Sequence, residues 1–174
     1  MLLLACLTHA ATLAGATLPD SAVVSGHTLT LNGLGLREKY FLDIYVGELY
    51  LARRSSDAPA IIAADEPKRV VMQFVYPHLT RDQLVSSFRS DFGKRPGAAA
   101  HQADIARLID VMPPELNAGD EMVFDYLPGT GTTLSFGGRP TVTIPGSAFM
   151  QVVWGMWLGD EPPTEALKRG LLGL

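Results

Sequence analysis

Arg37 is the residue best placed to do chemistry. It follows Leu31-Asn-Gly-Leu-Gly-Leu36 and precedes an apolar-rich run, Glu38 to Leu51. The two glycines predict a tight turn, with the arginine standing beside it and a long strand leading away. A guanidinium is a planar fork of donors. It can grip a carboxylate with two parallel hydrogen bonds. It can equally stabilise negative charge developing on an oxygen. Arg37 is therefore the first residue to suspect of holding an anionic small molecule.

Other chemistry is sparse. His9, His27, His78 and His101 stand apart, none with a partner at metal-ligand spacing, and each reads better as a surface or loop histidine than as a ligand or a base. There is one cysteine, Cys6, so neither an intrachain disulfide nor a cysteine metal cluster can form. No nucleophile elbow or phosphate loop occurs, and Gly33-Leu-Gly35 leads into a strand rather than a helix. Asp43 and Asp125 fall within predicted strands, at edge or bulge positions. The reading assigns no metal and no cofactor.

The elements that must position Arg37 are legible from periodicity. Thr28 to Leu31 is a short strand ending at Asn32-Gly33. From Leu36 to Ala52 the chain reads as one long strand. Tyr40, Leu42, Ile44 and Val46 share the parity expected in the core, and Arg37, Lys39, Asp43 and Tyr45 share the other. Asp57 caps a short helix, 58–64, with Pro59 in its first turn. Lys68 to Tyr76 is a strand stopped by Pro77. Thr80 caps a helix to Lys94 with Leu84, Val85, Phe88 and Phe92 on one face. A second helix, His101 to Val111, ends before Pro113-Pro114. Glu121 to Leu127 and Thr132 to Phe136 form a hairpin, Gly137-Gly138 turns into a strand Arg139 to Ile144, and helices cover 146–158 and 163–172. Strands and helices come in blocks without βαβ alternation, which predicts an α+β fold, a mainly antiparallel sheet with helices on one face.

The bulk numbers bound the rest. The 174 residues suit one domain with a sizeable core, 47% hydrophobic and 18% charged. A net charge of −4 gives no footprint for nucleic acid. Leu2 to Ala16 is apolar with small residues, and Leu13-Ala-Gly-Ala16 resembles a signal-peptidase site, although the basic n-region is missing. Leu3-Leu-Ala-Cys6 faintly resembles a lipidation box. We expect a leader over 1–16 and a domain over 17–174, exported to the periplasm or secreted. No other stretch approaches the ~20 apolar residues of a membrane span. The oligomeric state is not legible.

The glycine-arginine segment is followed at the C-terminal end by Ile144-Pro-Gly-Ser-Ala-Phe149, Trp157-Leu-Gly159, Pro162 and Leu167-Lys-Arg-Gly-Leu-Leu-Gly173. In this order and spacing, over residues 22–173, the chain resembles the chalcone isomerase-like family, and its bacterial exported members in particular. The resemblance implies an open-faced β-sandwich, a large antiparallel sheet with a layer of helices over one face and a ligand cleft between them. Plant enzymes of the family close a flavanone ring by adding a phenolate to an enone, while other members bind fatty acids. The family arginine matches Arg37. A hydroxyl further along falls near Ile44 or Tyr45. The plant tyrosine and asparagine, seven apart on the helix after a Leu-Thr turn, fall on Leu84 and Asp91. The last hydroxyl matches Thr164, which reads equally well as a helix N-cap.

Leu84 cannot donate a hydrogen bond, and Asp91 adds negative charge beside an anion. The resemblance therefore implies a non-catalytic protein that binds a fatty acid or similar apolar carboxylate through Arg37 and Tyr45. Leu84, Phe88, Met150, Val153 and Trp157 are candidate lining, and each is also an ordinary core residue. Arg37 has its own structural alternative, an ion pair with Asp43 or Asp91. Two further functions stay open: an isomerase or intramolecular lyase acting on an enone, and a structural envelope protein whose cleft its own side chains fill.

Overall fold

The structure is a computed structural model and describes residues 11–174. The expected leader lies partly outside the described residues, as do His9 and Cys6. A small hairpin, β1 (Ala11–Leu13) and β2 (Ala16–Leu18), leads into the main sheet. That sheet contains β3 (Ser21–Val24), β4 (His27–Lys39), β5 (Leu42–Leu51) and β6 (Lys68–Phe74), then β9 (Glu121–Leu127), β10 (Gly131–Phe136) and β11 (Arg139–Ile144). Its order is β11-β10-β9-β6-β5-β4-β3, every described pairing antiparallel. A separate two-stranded ribbon joins β7 (His78–Thr80) to β8 (Glu115–Asn117). The helices are α1 (Ala58–Ala63), α2 (Arg81–Gly93), α3 (Gln102–Asp110), α4 (Ser147–Leu158) and α5 (Glu165–Leu171). This is the expected α+β arrangement of a large antiparallel sheet with helices on one face.

The local signals explain most boundaries. Asp57 accepts from Ala60 N at the start of α1. Thr80 and Gln83 form a reciprocal capping box on α2. Helix α4 is apolar almost all round and correspondingly buried, and its Phe149, Met150, Val153 and Trp154 are inaccessible at the centre of the main core. The opposite face of the sheet carries two smaller clusters. Val24, Leu29, Leu31, Tyr50 and Val71 form one, and Leu18 of β2 closes the other against Val46.

The segment 31–51 departs from expectation. Asn32 and Gly33 do not turn; they sit inside β4 at a register shift. The turn comes later, at Tyr40-Phe41, so the expected single strand is a hairpin of β4 and β5. The parity is also reversed except at Ile44, which sits at the register shift after Arg37 and joins the helix-side core as expected. Tyr45, Gly47, Leu49 and Leu51 face the helices, Val46 is buried on the far face, and Tyr40 and Leu42 are exposed at the tip. A run of residues that are apolar on both parities cannot report its own face. Tyr40 and Phe41 have φ of 51° and 65°. This is the conformation two-residue hairpins fill with Asn-Gly, and each non-glycine residue there costs about 1–3 kcal/mol.

The glycines serve a close approach of helix to sheet. Gly35 pairs directly with Gly47 across β4 and β5. A Cβ on Gly35 would lie 2.6 Å from the Leu167 carbonyl oxygen, and one on Gly33 or Gly170 would collide with backbone across the same contact. Asn32 locks the contact, donating from Nδ2 to the Leu171 carbonyl at 2.8 Å and accepting from the Ser55 amide at 2.7 Å.

Asp125, expected at an edge or bulge, lies on the interior strand β9. It accepts two hydrogen bonds from Arg69 on β6, at 2.6 and 2.8 Å. Asp43 is exposed, beside the register shift between Arg37 and Glu38. Near the Asp125–Arg69 pair, Glu48 is only 2% exposed and lies 2.5 Å from the Tyr50 hydroxyl, which also lies 2.9 Å from the Pro19 carbonyl. Tyr50 has one proton for two acceptors, so both bonds are satisfied when Glu48 is protonated and donates. Burial pushes the Glu48 carboxyl up to about 7, against the opposing Tyr50 hydrogen bond.

Two outcomes follow. Gly35→Ala should lower stability to urea by about 1–3 kcal/mol through the backbone collision. Gly93→Ala, whose added Cβ meets nothing within 4 Å, should leave stability nearly unchanged. Glu48 binds its proton more tightly when folded, so its contribution is complete below about pH 4.5 and is lost as pH rises through about 7. Urea midpoints of the wild type should fall between pH 5 and 8 by more than those of Glu48→Gln, a difference on the order of 2 kcal/mol.

Candidate functional site

Hairpin pairing, not position along one strand, brings the first two candidates together. Arg37 on β4 lies directly opposite Tyr45 on β5. The guanidinium carbon is 5.6 Å from the Tyr45 ring centroid. Helix α2 covers both, and its face over the sheet repeats at Leu84, Ser87, Phe88 and Asp91. Arg37 Nη2 donates to Ser87 Oγ at 3.0 Å and lies 4.0 Å from Asp91 Oδ2. Of the two acidic partners considered, the nearby one is thus Asp91 rather than Asp43. At 4.0 Å the pair is looser than a charge-assisted hydrogen bond, which is typically about 2.7–2.9 Å. Burial pushes the Asp91 carboxyl up, and Arg37 pulls it back in part.

The guanidinium keeps unused capacity. Arg37 Nε is buried and has no partner among the described residues. Tyr45 has capacity too. Trp157 Nε1, which can only donate, gives its proton to the Tyr45 oxygen at 3.1 Å. The tyrosine proton is left for another acceptor. Burial pushes the Tyr45 hydroxyl up to about 12, although Arg37 and Trp157 both act the other way. Tyr45 is therefore a neutral donor near pH 7 and a poor base.

These groups line a half-open cavity of about 210 Å³ between sheet and helix. Its walls are mostly apolar, with Ile44, Met72, Phe74, Leu84 and Phe88 inside and Tyr40 and Leu42 at the exposed rim. The cleft beside Arg37 is open, not filled by its own side chains. A neutral hydroxyl and a partly satisfied guanidinium in an apolar slot can hold an anionic oxygen. They supply no group that takes up a proton near neutral pH.

The other candidates sort clearly. Leu84 is cavity wall, and Asp91 stands behind the arginine. Thr164 is not among the lining residues; its hydroxyl accepts from Leu167 N at 3.1 Å and caps α5. Met150 and Val153 are core of α4 and not cavity wall, and Trp157 acts through Tyr45. Sequence reasoning missed Ser87 and Gln83. Ser87 sits three residues beyond Leu84 and four before Asp91, so the helical period that joins those two passes through it. Among the described residues no three histidine, cysteine or acidic side chains cluster as metal ligands, and no helix is long and apolar enough to cross a membrane. His78 is exposed and contacts Asn117, while His101 is half-buried, contacts Asp104 and packs its ring against Phe149; both lie away from the cavity lining.

Residues 10–173 match the sequence profile of the chalcone isomerase-like family. No curated protein sequence matches significantly. Among solved structures, a fatty-acid binding protein of Arabidopsis thaliana aligns with a TM-score of 0.71, over 94% of this chain and 96% of that one, at 17% identity. At that identity the likeness speaks for the fold. With the profile spanning nearly the whole chain and the sheet, helix layer and cleft all present, this protein belongs to the chalcone isomerase-like family.

Proposed function

We propose that this protein binds a fatty acid or similar apolar carboxylate without transforming it, with the carboxylate held by Arg37 and Tyr45. One observation carries the reading: Arg37, whose Nε has no partner among the described residues, and Tyr45, whose proton Trp157 leaves uncommitted, both line the same mostly apolar cavity. Buried donors of this kind are costly unless a ligand uses them. The fatty-acid binding neighbour from Arabidopsis, alike in fold, supports the same ligand class. At about 210 Å³ the cavity is smaller than the roughly 300–1,000 Å³ usual for drug-sized ligands. A long acyl chain would seat its head and first methylenes inside and pass its tail over Tyr40 and Leu42 at the rim.

Catalysis is disfavoured by Leu84, which holds neither donor nor acceptor where the plant enzymes carry an assisting polar group, and by the high pKa of Tyr45. We place the protein among the bacterial exported members, in the periplasm or secreted, on the strength of the apolar, small-residue run Leu2 to Ala16. Cleavage after Ala16 would remove β1 and leave Leu18 of β2 on Val46.

Titration calorimetry with saturated fatty acids of graded length tests the assignment. Arg37→Ala should weaken binding roughly 10–100-fold, the loss of a charge-assisted pair. Tyr45→Phe should weaken it less, and Arg37→Lys should fall between wild type and alanine because it keeps the charge without the fork. Equal affinity in wild type and Arg37→Ala would remove the anchor from this reading. Turnover of chalcones by the wild type would replace it with the isomerase.

A further inference from the structure

Among the described residues, the β4–β5 turn is the one place where large apolar side chains stand in solvent as a group. Phe41 is 100% exposed, Tyr40 83% and Leu42 47%. The same two aromatics occupy left-handed backbone at both central turn positions, where Asn-Gly would be relaxed. The chain thus carries strain in order to present rings to water, which is unfavourable unless something covers them. The tip is also continuous with the cavity, because Lys39, Tyr40 and Leu42 are part of its lining.

From this juxtaposition we propose that the Tyr40-Phe41-Leu42 tip inserts into the interfacial layer of a lipid bilayer and sets the cavity mouth against it. The inference rests on the carboxylate-binding reading of the same cavity and extends it to where the ligand comes from. Size argues against a protein partner. Aromatic side chains bury roughly 150–250 Å² each, so three residues offer a few hundred Å². A stable protein interface needs about 800 Å² per side. A narrow tip with two aromatics suits the membrane–water interface, where amphipathic rings are favoured. Charge is not the attraction. Glu38 and Asp43 flank the tip on either strand, Lys39 alone offsets them with its Nζ 5.8 Å from the Tyr40 ring centroid, and the chain carries −4 overall. The surface it fits is therefore zwitterionic rather than anionic.

Flotation of the full chain with phosphatidylcholine vesicles tests this, using Phe41→Gly as the main variant. That change relieves the positive-φ strain and lies outside the cavity lining, so the protein should fold at least as well and bind fatty acid from solution as before. Vesicle association should drop about tenfold or more, the loss of one interfacial aromatic. Extraction of a fluorescent fatty acid from the vesicles should slow in parallel. Phe41→Trp should bind as wild type and show a blue-shifted emission on vesicles, since Trp154 and Trp157 are already buried. Arg37→Ala should lose fatty acid yet keep vesicle association. Absence of wild-type association, or equal association of wild type and Phe41→Gly, overturns the proposal. So does a dimer that forms without lipid and is lost in Phe41→Gly. If Arg37→Ala keeps its fatty-acid affinity, the cavity assignment fails while the Phe41 comparison still judges the tip.

Discussion

The antiparallel pairing of β4 with β5 governs everything that bears on function here. One register places Gly35 opposite Gly47 and Arg37 opposite Tyr45, and a shift by one residue after Arg37 sets Tyr40-Phe41 at the turn. Because side chains alternate across a strand, a slip by one residue would send the arginine and tyrosine to the far face and put leucine and valine under α5. The register is pinned by sterics. Leu167 and Gly170 of α5 approach so closely that only glycine fits beneath them, and Asn32 fastens the end of the helix to the strand. The helix at the C-terminal end thereby sets the position of an arginine on β4, far earlier in the chain.

The site itself is a balance of partial satisfaction. Arg37 is neither free in water nor fully paired. It has a serine, a distant carboxylate and a ring face, and one buried donor is unused. A short bidentate bond from Asp91 would have closed the site by saturating the guanidinium. Trp157 contributes without touching the ligand space. By using the tyrosine oxygen as its acceptor, it directs the only proton of Tyr45 elsewhere. Arg37, Tyr45 and Trp157 come from β4, β5 and α4, and only the packed core brings them together.

Where local signals are strong, sequence and structure agree. Caps at Asp57, Thr80 and Thr164, the breaks at Pro77 and Pro113, and the turns at 128–131 and 137–138 all act within a few residues. Disagreement concentrates in 31–51. There the apolar residues fill both parities because both faces of β5 are buried, by helices on one side and by β2 and the curl of the sheet on the other. Periodicity has no contrast to read in such a strand. The glycines misled for a related reason. A glycine chosen for conformational freedom and one chosen for a close approach are identical in sequence, and only the helix that lands on Gly33 and Gly35 distinguishes them.

By itself, then, the sequence determined the fold class and the helices and their caps, and it singled out Arg37 as the candidate anchor and, through the resemblance, Leu84 and Asp91 as the positions aligned with the plant polar pair. These follow from local preference, from residue type and from the resemblance carried by the C-terminal motifs. Tertiary structure decided that Tyr45 stands opposite the arginine, that Thr164 lies outside the cavity, that Ser87 contacts Arg37, and that two aromatic rings stand exposed at the cavity mouth. Each of these depends on which residues meet across strands or between sheet and helix. Those meetings are set by register and close packing over long separations, about which a local pattern of residue types carries no information.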